Sequence, residues 1–385
     1  MNCPSKGALM FRVLQEVATM DVGGVERLLY DYYTHLQGEE VAFDFVIFDR
    51  EQEGIFEKPL KEKGCRFYTV PRLHGLGLDY IKALWKVLKE GRFDAVHAHR
   101  GSRSFFLLFL AWLAGVKVRV VHSHIAFEPD GSFAKHLKTV VFKRLSRLFA
   151  TDLFACGDDA ARFMWGTDDP RKVHKMTNAI DTGRFCDALS RREQVRQSLG
   201  ITDELVLGTV ARIDQQKNPR YLLKIAQAVK ESGMKAVLLV AGTGPMEEEI
   251  RGLAANMNLM GFVRFLGVRQ DIPDLLAAFD VFLLPSLFEG LPVTLMETQA
   301  SGLQALVSDR VTREMDKVGL IRFLPLNDDP ACWVEAIREA KAPADRSVYA
   351  RKVLDAGYDI SCQAKKLGEF YLKRYVEKKE RRNEA

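Results

Sequence analysis

The chain has 385 residues, enough for two domains with separate buried cores. Apolar residues make up 47% and charged residues 28%, as in an ordinary globular protein, and a net charge of +5 is too slight to argue for a nucleic-acid partner. Six scattered cysteines with no CxxC pair exclude a disulfide framework or a zinc ribbon and suit a reducing compartment. The first residues lack a secretory pattern, and the greasiest stretch, 105–116, falls short of the ~20 apolar residues that span a bilayer. A cytoplasmic protein is expected, peripheral on the inner face of the membrane if its surface meets lipid.

In chain order, short β-branched runs alternate with amphipathic stretches. Strands are predicted at 10–17, 41–48, 65–70, 93–97, 118–122 and 152–156, with helices at 25–37, 78–90, 102–114 and 132–150. A polar, arginine-rich stretch at 190–199 leads into a second series. Its strands are predicted at 205–211, 236–241, 263–265, 281–284 and 305–308, and its helices at 219–232, 246–257, 272–278 and 292–300. The helical tail, 361–378, carries Phe370, Tyr371 and Tyr375, which need a surface to cover. This alternation predicts an α/β protein of two Rossmann-like parallel-sheet domains facing across a cleft. The expected boundaries are 1–185, 186–358, and a tail helix, 359–385, returning toward the first domain.

Open parallel sheets bind ligands beyond the carboxyl ends of their strands, and the motifs cluster there. After the strand at 281–284 comes a loop with Ser286, Glu289 and Gly290, then Pro292 at a favourable first helical position. Glycine admits a ligand close to the backbone, and the N–H groups of Leu291, Val293 and Thr294 make an anion site. Glu297 follows about one turn later, able to grip paired hydroxyls. After the strand at 205–211, Arg212 and Lys217 stand at the positive end of a helix opened by Asn218 and Pro219. Two such cations need an anion between them, and a diphosphate supplies one.

Gly242 and Gly244 follow another strand, and Gly23 and Gly24 follow the first; each pair fits a ligand-approaching turn or a plain one. His97 with His99, and His122 with His124, end two first-domain strands, and residues two apart share a face. A metal site, a sugar-contacting or proton-handling site with His124 foremost, and structural histidines compete here. No zinc spacing is complete and no D-x-D triplet is present, so neither a metal nor a cofactor is expected.

Glu289 and Glu297, with seven residues between them, resemble the E-x7-E signature of the GT-B-fold, retaining glycosyltransferases of family 4. Pro285-Ser286 before the signature and Ala300-Ser301-Gly302 after it are similar in context, and Arg212 and Lys217 match the family's diphosphate-binding pair. Asn178-Ala179-Ile180-Asp181 resembles its N-G-I/V-D junction segment, with alanine for glycine, and Gly23-Gly24 and His124 match its glycine loop and cleft histidine. Gln304 departs from a usual proline, at an expected turn. The resemblance runs from about residue 8 to 378 and is nearest to capsular and exopolysaccharide transferases.

It implies metal-independent, retaining transfer of a hexosyl or N-acetylhexosaminyl group from a nucleoside diphosphate sugar, UDP favoured, to a lipid-linked or polysaccharide hydroxyl. Glu297 would hold the ribose, Glu289 the donor sugar and Arg212 with Lys217 the phosphates. His124 would contact the sugar near the reacting centre. The residues also admit a GT-B nucleotide-sugar epimerase or a non-catalytic nucleotide-sugar binder. The stretch 134–149, with five Lys or Arg and no acid, reads either as a helix resting on anionic lipid or as a core-facing domain helix.

Overall fold

The structure, a computed structural model, describes residues 10–21, 23–36, 40–72, 77–124 and 133–383. The chain forms two compact units, residues 1–178 with 360–385 and residues 179–359.

In the first unit seven parallel strands form one sheet: β1 (Phe11–Glu16), β2 (Val41–Phe48), β3 (Phe67–Val70), β4 (Ala95–Ala98), β5 (Val118–Ser123), β6 (Asp152–Ala155) and β7 (Val173–Lys175). Their spatial order is β3-β2-β1-β4-β5-β6-β7. Crossover helices such as Gly24–His35, Leu78–Gly91 and Phe105–Leu113 cover the faces, so β2 is buried at seven of its eight positions. The tail helix Ile360–Asn383 packs on the same unit. Fully buried Tyr371 lies against Phe43, with ring centroids 6.3 Å apart, Phe370 meets Phe154, and Arg374 binds Asp152 at 2.7 Å. Its aromatic stripe thus covers β-sheet.

The second unit contains β8 (Leu205–Val210), β9 (Ala236–Ala241), β10 (Val263–Gly267), β11 (Val281–Leu284), β12 (Gln304–Ser308) and β13 (Ile321–Leu324), in the order β10-β9-β8-β11-β12-β13. Its core gathers Leu207, Leu222, Leu283 and the fully buried Trp333. In both sheets the order reverses beside the unit's first strand, between β1 and β4 and between β8 and β11. That reversal opens the crevice into which the adjacent carboxyl-terminal turns project.

Some segments differ from expectation for local reasons. The edge strands β7 and β13 are three and four residues long and carry exposed polar groups, too little for an alternating pattern to show. The arginine-rich stretch contains a helix, Arg192–Ser198. Arg192 and Arg196 both bind Asp280, whose carboxylate also accepts the Val206 N–H at 2.7 Å, so these cations fasten the helix to the sheet. Pro292 caps its helix with an extended ψ of 117°, and the helix itself begins one residue later, as Val293–Ala300. Gln304 opens β12 instead of lying in a turn, and its side-chain oxygen accepts from the Lys341 N–H at 3.3 Å. Among the described residues no helix is long and apolar enough to cross a membrane.

Candidate functional site

At the reversal point of the second sheet, β8 and β11 pair directly, Val281 beside Leu207 and Phe282 beside Gly208. The turns leaving their carboxyl ends therefore meet. The Leu287 N–H donates to Gln216 O at 2.8 Å, joining the two loops by backbone. Asp214 caps the short turn Gln215–Lys217 by accepting the Lys217 N–H at 3.2 Å, and Asn218, in the left-handed region at φ 53°, redirects the chain into the helix Pro219–Glu231.

This places the Lys217 ammonium against Glu289, 72 residues away in sequence. Lys217 Nζ lies 2.5 Å from Glu289 Oε1, Ser286 Oγ donates to the same oxygen at 2.6 Å, and Gln216 Nε2 donates to Oε2 at 3.0 Å. The Glu289 side chain is 4% exposed, so three donors fix a nearly dehydrated carboxylate. Lys217 thus has a counter-charge within the unit. Arg212 stays largely in solvent, 70% exposed, with Nε 3.7 Å from Asp214. Gly290, buried Leu291, Pro292 and Val293 carry the loop into the next helix, and half-buried Glu297 lies on that helix. Neither Ser286 nor Gln216 stands out in the sequence as a site residue. Each is an unremarkable polar residue until the strand order brings Glu289 between them.

Gly242 and Gly244 are explained by packing. Gly242 has φ 132°, and a Cβ there would meet Ala211 O at 2.0 Å; at Gly244 it would meet Ile213 O at 2.3 Å. The Ile213 N–H donates to Thr243 O at 3.0 Å, and the Met246 N–H donates to Ile213 O at 3.1 Å. These glycines let one strand-end turn lie on the next, the one that carries Arg212.

In the first unit Gly23, with extended φ −171°, is the N-cap of helix Gly24–His35. A Cβ on Gly23 would meet Glu26 Oε2 at 2.2 Å, so the glycine makes room for its own helix's carboxylate, whose pKa burial raises. Asn178 is the last residue before the chain enters the second unit, where Asp181 caps helix Thr182–Ala188.

The histidines at the ends of β4 and β5 converge. Ring centroids of His97 and His99 lie 4.2 Å apart, and those of His122 and His124 lie 3.9 Å apart. His99 Nδ1 is 2.8 Å from His124 Nε2, and His99 Nε2 is 2.8 Å from Gln15 Oε1. His97 Nδ1 is 2.6 Å from the Tyr371 hydroxyl. Burial pushes all four imidazoles below the usual histidine range, His124 to about 4. Nitrogens of His97, His99 and His122 come within 4.8 Å of one another, close enough to suggest a metal ion. However, both nitrogens of His99 are already engaged by Gln15 and His124.

Comparison with known proteins decides the family. Residues 22–184 match the Glycosyltransferase Family 4 description and residues 204–341 match Glycosyl transferases group 1. EpsF of Bacillus subtilis (strain 168), a glycosyltransferase by name, is 36% identical over 357 residues, spanning 90% of this chain and 93% of EpsF. The chain belongs to the family 4 glycosyltransferases. Another relative of this transferase is the Escherichia coli UDP-Gal:alpha-D-GlcNAc-diphosphoundecaprenol alpha-1,3-galactosyltransferase, 29% identical and spanning 75% of this chain and 76% of its own. Among solved structures, Anabaena HepE in complex with UDP superposes with TM-score 0.75 at 17% identity, covering 94% of this chain and 100% of HepE. WaaG, a glycosyltransferase involved in lipopolysaccharide biosynthesis, superposes with TM-score 0.66 at 17% identity, covering 93% and 99%. The two parallel-sheet units are the GT-B architecture of these transferases.

Two outcomes follow for this glycosyltransferase. Gly242→Ala should lower unfolding stability by about 2 kcal/mol through backbone strain and the clash with Ala211. Gly252→Ala, at an open helical position, should be neutral or stabilising by up to ~1 kcal/mol. Equal urea midpoints for both variants would refute the packing account. The histidines should make the fold acid-labile. Their folded pKa values lie below the unfolded value of 6.5, so the unfolded chain binds more protons as pH falls. The His124 contribution is complete above pH 6.5 and is lost between there and about pH 4, costing at most ~1.4 kcal/mol per pH unit, and the other three histidines act in the same direction. Urea titrations at pH 7.5 and 5.5 measure this, and His122→Phe should flatten the difference. A wild-type midpoint that does not move would contradict buried, neutral rings.

Proposed function

We propose that this transferase moves a hexose or N-acetylhexosamine from a UDP-sugar to a hydroxyl of a lipid-linked or polysaccharide acceptor in capsule or exopolysaccharide synthesis. The reaction retains anomeric configuration and requires no divalent cation. The observation that carries the reading is the Glu289 carboxylate, held by Lys217, Ser286 and Gln216 at the reversal point of the second sheet. UDP in HepE, and a UDP-galactose donor with a diphosphoundecaprenol acceptor in the E. coli relative's name, support the donor and acceptor classes. EpsF, the relative with 36% identity, supports the capsular or exopolysaccharide setting.

Breaking the bond to the diphosphate puts positive charge on the sugar ring and negative charge on the departing phosphate. Exposed Arg212 can fork onto the phosphates, and the amino end of helix Val293–Ala300 can add its dipole. When phosphate arrives, Lys217 shares its charge with it, and Glu289, partly released, accepts from hydroxyls of the sugar. Glu297 takes the ribose hydroxyls. Gly23, Gly24 and Asn178 serve the donor from the glycine loop and the junction segment, and His124 contacts the transferring sugar. Charge is thereby met by groups oriented before the reaction begins, the condition under which electrostatic stabilisation is strongest.

Glu289→Ala should reduce kcat by roughly a hundredfold or more while changing the UDP Kd less than about tenfold. UDP should raise the melting temperature of both proteins. Assay of candidate UDP-sugars against undecaprenyl-diphosphate-linked sugars checks turnover, and an unchanged kcat would remove Glu289 from its place.

We also propose that helix Phe133–Phe149 rests on anionic lipid. Side chains of 134–136 lie outside the described residues. Beyond them Leu137, Val141 and Leu148 are exposed beside exposed Lys138, Arg144 and Arg147, while Phe142 and Phe149 pack inward on Phe105. Lys143 is committed inward, donating to Phe163 O at 3.2 Å, so it makes a poor probe. Wild-type protein should sediment with phosphatidylglycerol vesicles, and Lys138→Glu/Arg144→Glu should lose most of that binding, each cation near the surface contributing ~1 kcal/mol. Equal sedimentation of the two proteins would exclude this helix as the contact.

A further inference from the structure

His124 ends a buried hydrogen-bond chain whose direction follows from chemistry. Gln15 is fully buried at the end of β1, and its side-chain oxygen lies 2.8 Å from His99 Nε2. An amide oxygen only accepts, so His99 Nε2 must carry the proton. A neutral imidazole has one N–H, which leaves His99 Nδ1 as a lone pair. That nitrogen is 2.8 Å from His124 Nε2, so His124 donates there and carries its own proton on Nε2. His124 Nδ1 is then a bare acceptor.

We infer that His99, oriented by Gln15, is a positioning residue that locks His124 in the Nε2–H tautomer, so that His124 Nδ1 accepts a hydrogen bond from a hydroxyl of the transferring sugar. This rests on the proposed contact between His124 and the donor sugar. It goes further by assigning the proton: neutral His124 receives a hydroxyl proton's hydrogen bond and does not protonate a leaving oxygen through Nδ1. It also gives a function to Gln15 and His99. No motif points to Gln15, because its partner lies 84 residues away and is reached only through the pairing of β1 with β4.

The test uses the full chain labelled with 15N-histidine. Two-bond 1H–15N correlations report each ring's tautomer, with His124 assigned by the signal missing from His124→Ala. The wild-type enzyme should show His124 and His99 as Nε2–H tautomers. Gln15→Glu keeps an acceptor and should keep that pattern, whereas Gln15→Leu should release it. In turnover, Gln15→Leu and His99→Leu should lose roughly ten- to a hundredfold in kcat with KM for the nucleotide sugar nearly unchanged. His99→Gln, whose amide oxygen can accept from His124, should recover part of the loss. An Nδ1–H tautomer at His124 in the wild type, or a pattern that survives Gln15→Leu, overturns the inference without relying on any variant's activity. Undiminished turnover of His124→Ala would instead remove His124 from the reaction, a failure of the proposed function that the spectra distinguish from a failure of the chain.

Discussion

The reversal of strand order in each parallel sheet is the constraint on which the rest depends. A strand that turns one way to its neighbour and a strand that turns the other leave their carboxyl-terminal loops with no crossover helix between them. In the second unit that geometry forces the turn after β8 against the loop after β11, and Glu289 acquires Lys217, Gln216 and Ser286 as donors. In the first unit it sets β1 beside β4, which brings Gln15 to His99. The same topological device assembles both groups of polar side chains.

Both groups are also buried, and burial changes what they can do. A carboxylate with one ammonium, one hydroxyl and one amide donor around it has little freedom to reorient, so its remaining lone pairs point in fixed directions. The histidines are kept neutral by desolvation, which makes them directional donors and acceptors rather than charges. A glycosyltransferase gains from polar groups oriented before the reaction begins. The glycines serve that rigidity: Gly242 and Gly244 bring two turns into backbone contact beneath Arg212.

Several chemical signals were legible along the chain. Glu289 and Glu297 at fixed spacing, Arg212 and Lys217 before Pro219, and paired histidines after two strands all lie close together in sequence, where local pattern reading works. What misled was charge considered alone. Lys217 reads as a cation awaiting an external anion, and the partner of Arg192 and Arg196 goes unseen, because a sequence does not show which distant carboxylate folds back onto a cation. The short edge strands β7 and β13 were equally silent, being too brief to alternate.

Alternation of apolar runs with amphipathic stretches, by itself, determined two parallel-sheet units and put the chemistry at strand ends, since side-chain period and helix length are local properties. Tertiary structure alone decided who partners whom. Ser286 and Gln216 with Glu289, Gln15 with His99, and Tyr371 with His97 are joined by strand order and by helix packing across as many as 274 residues. Hydrogen bonds reach about 3 Å, and only the folded topology brings such distant residues within that range.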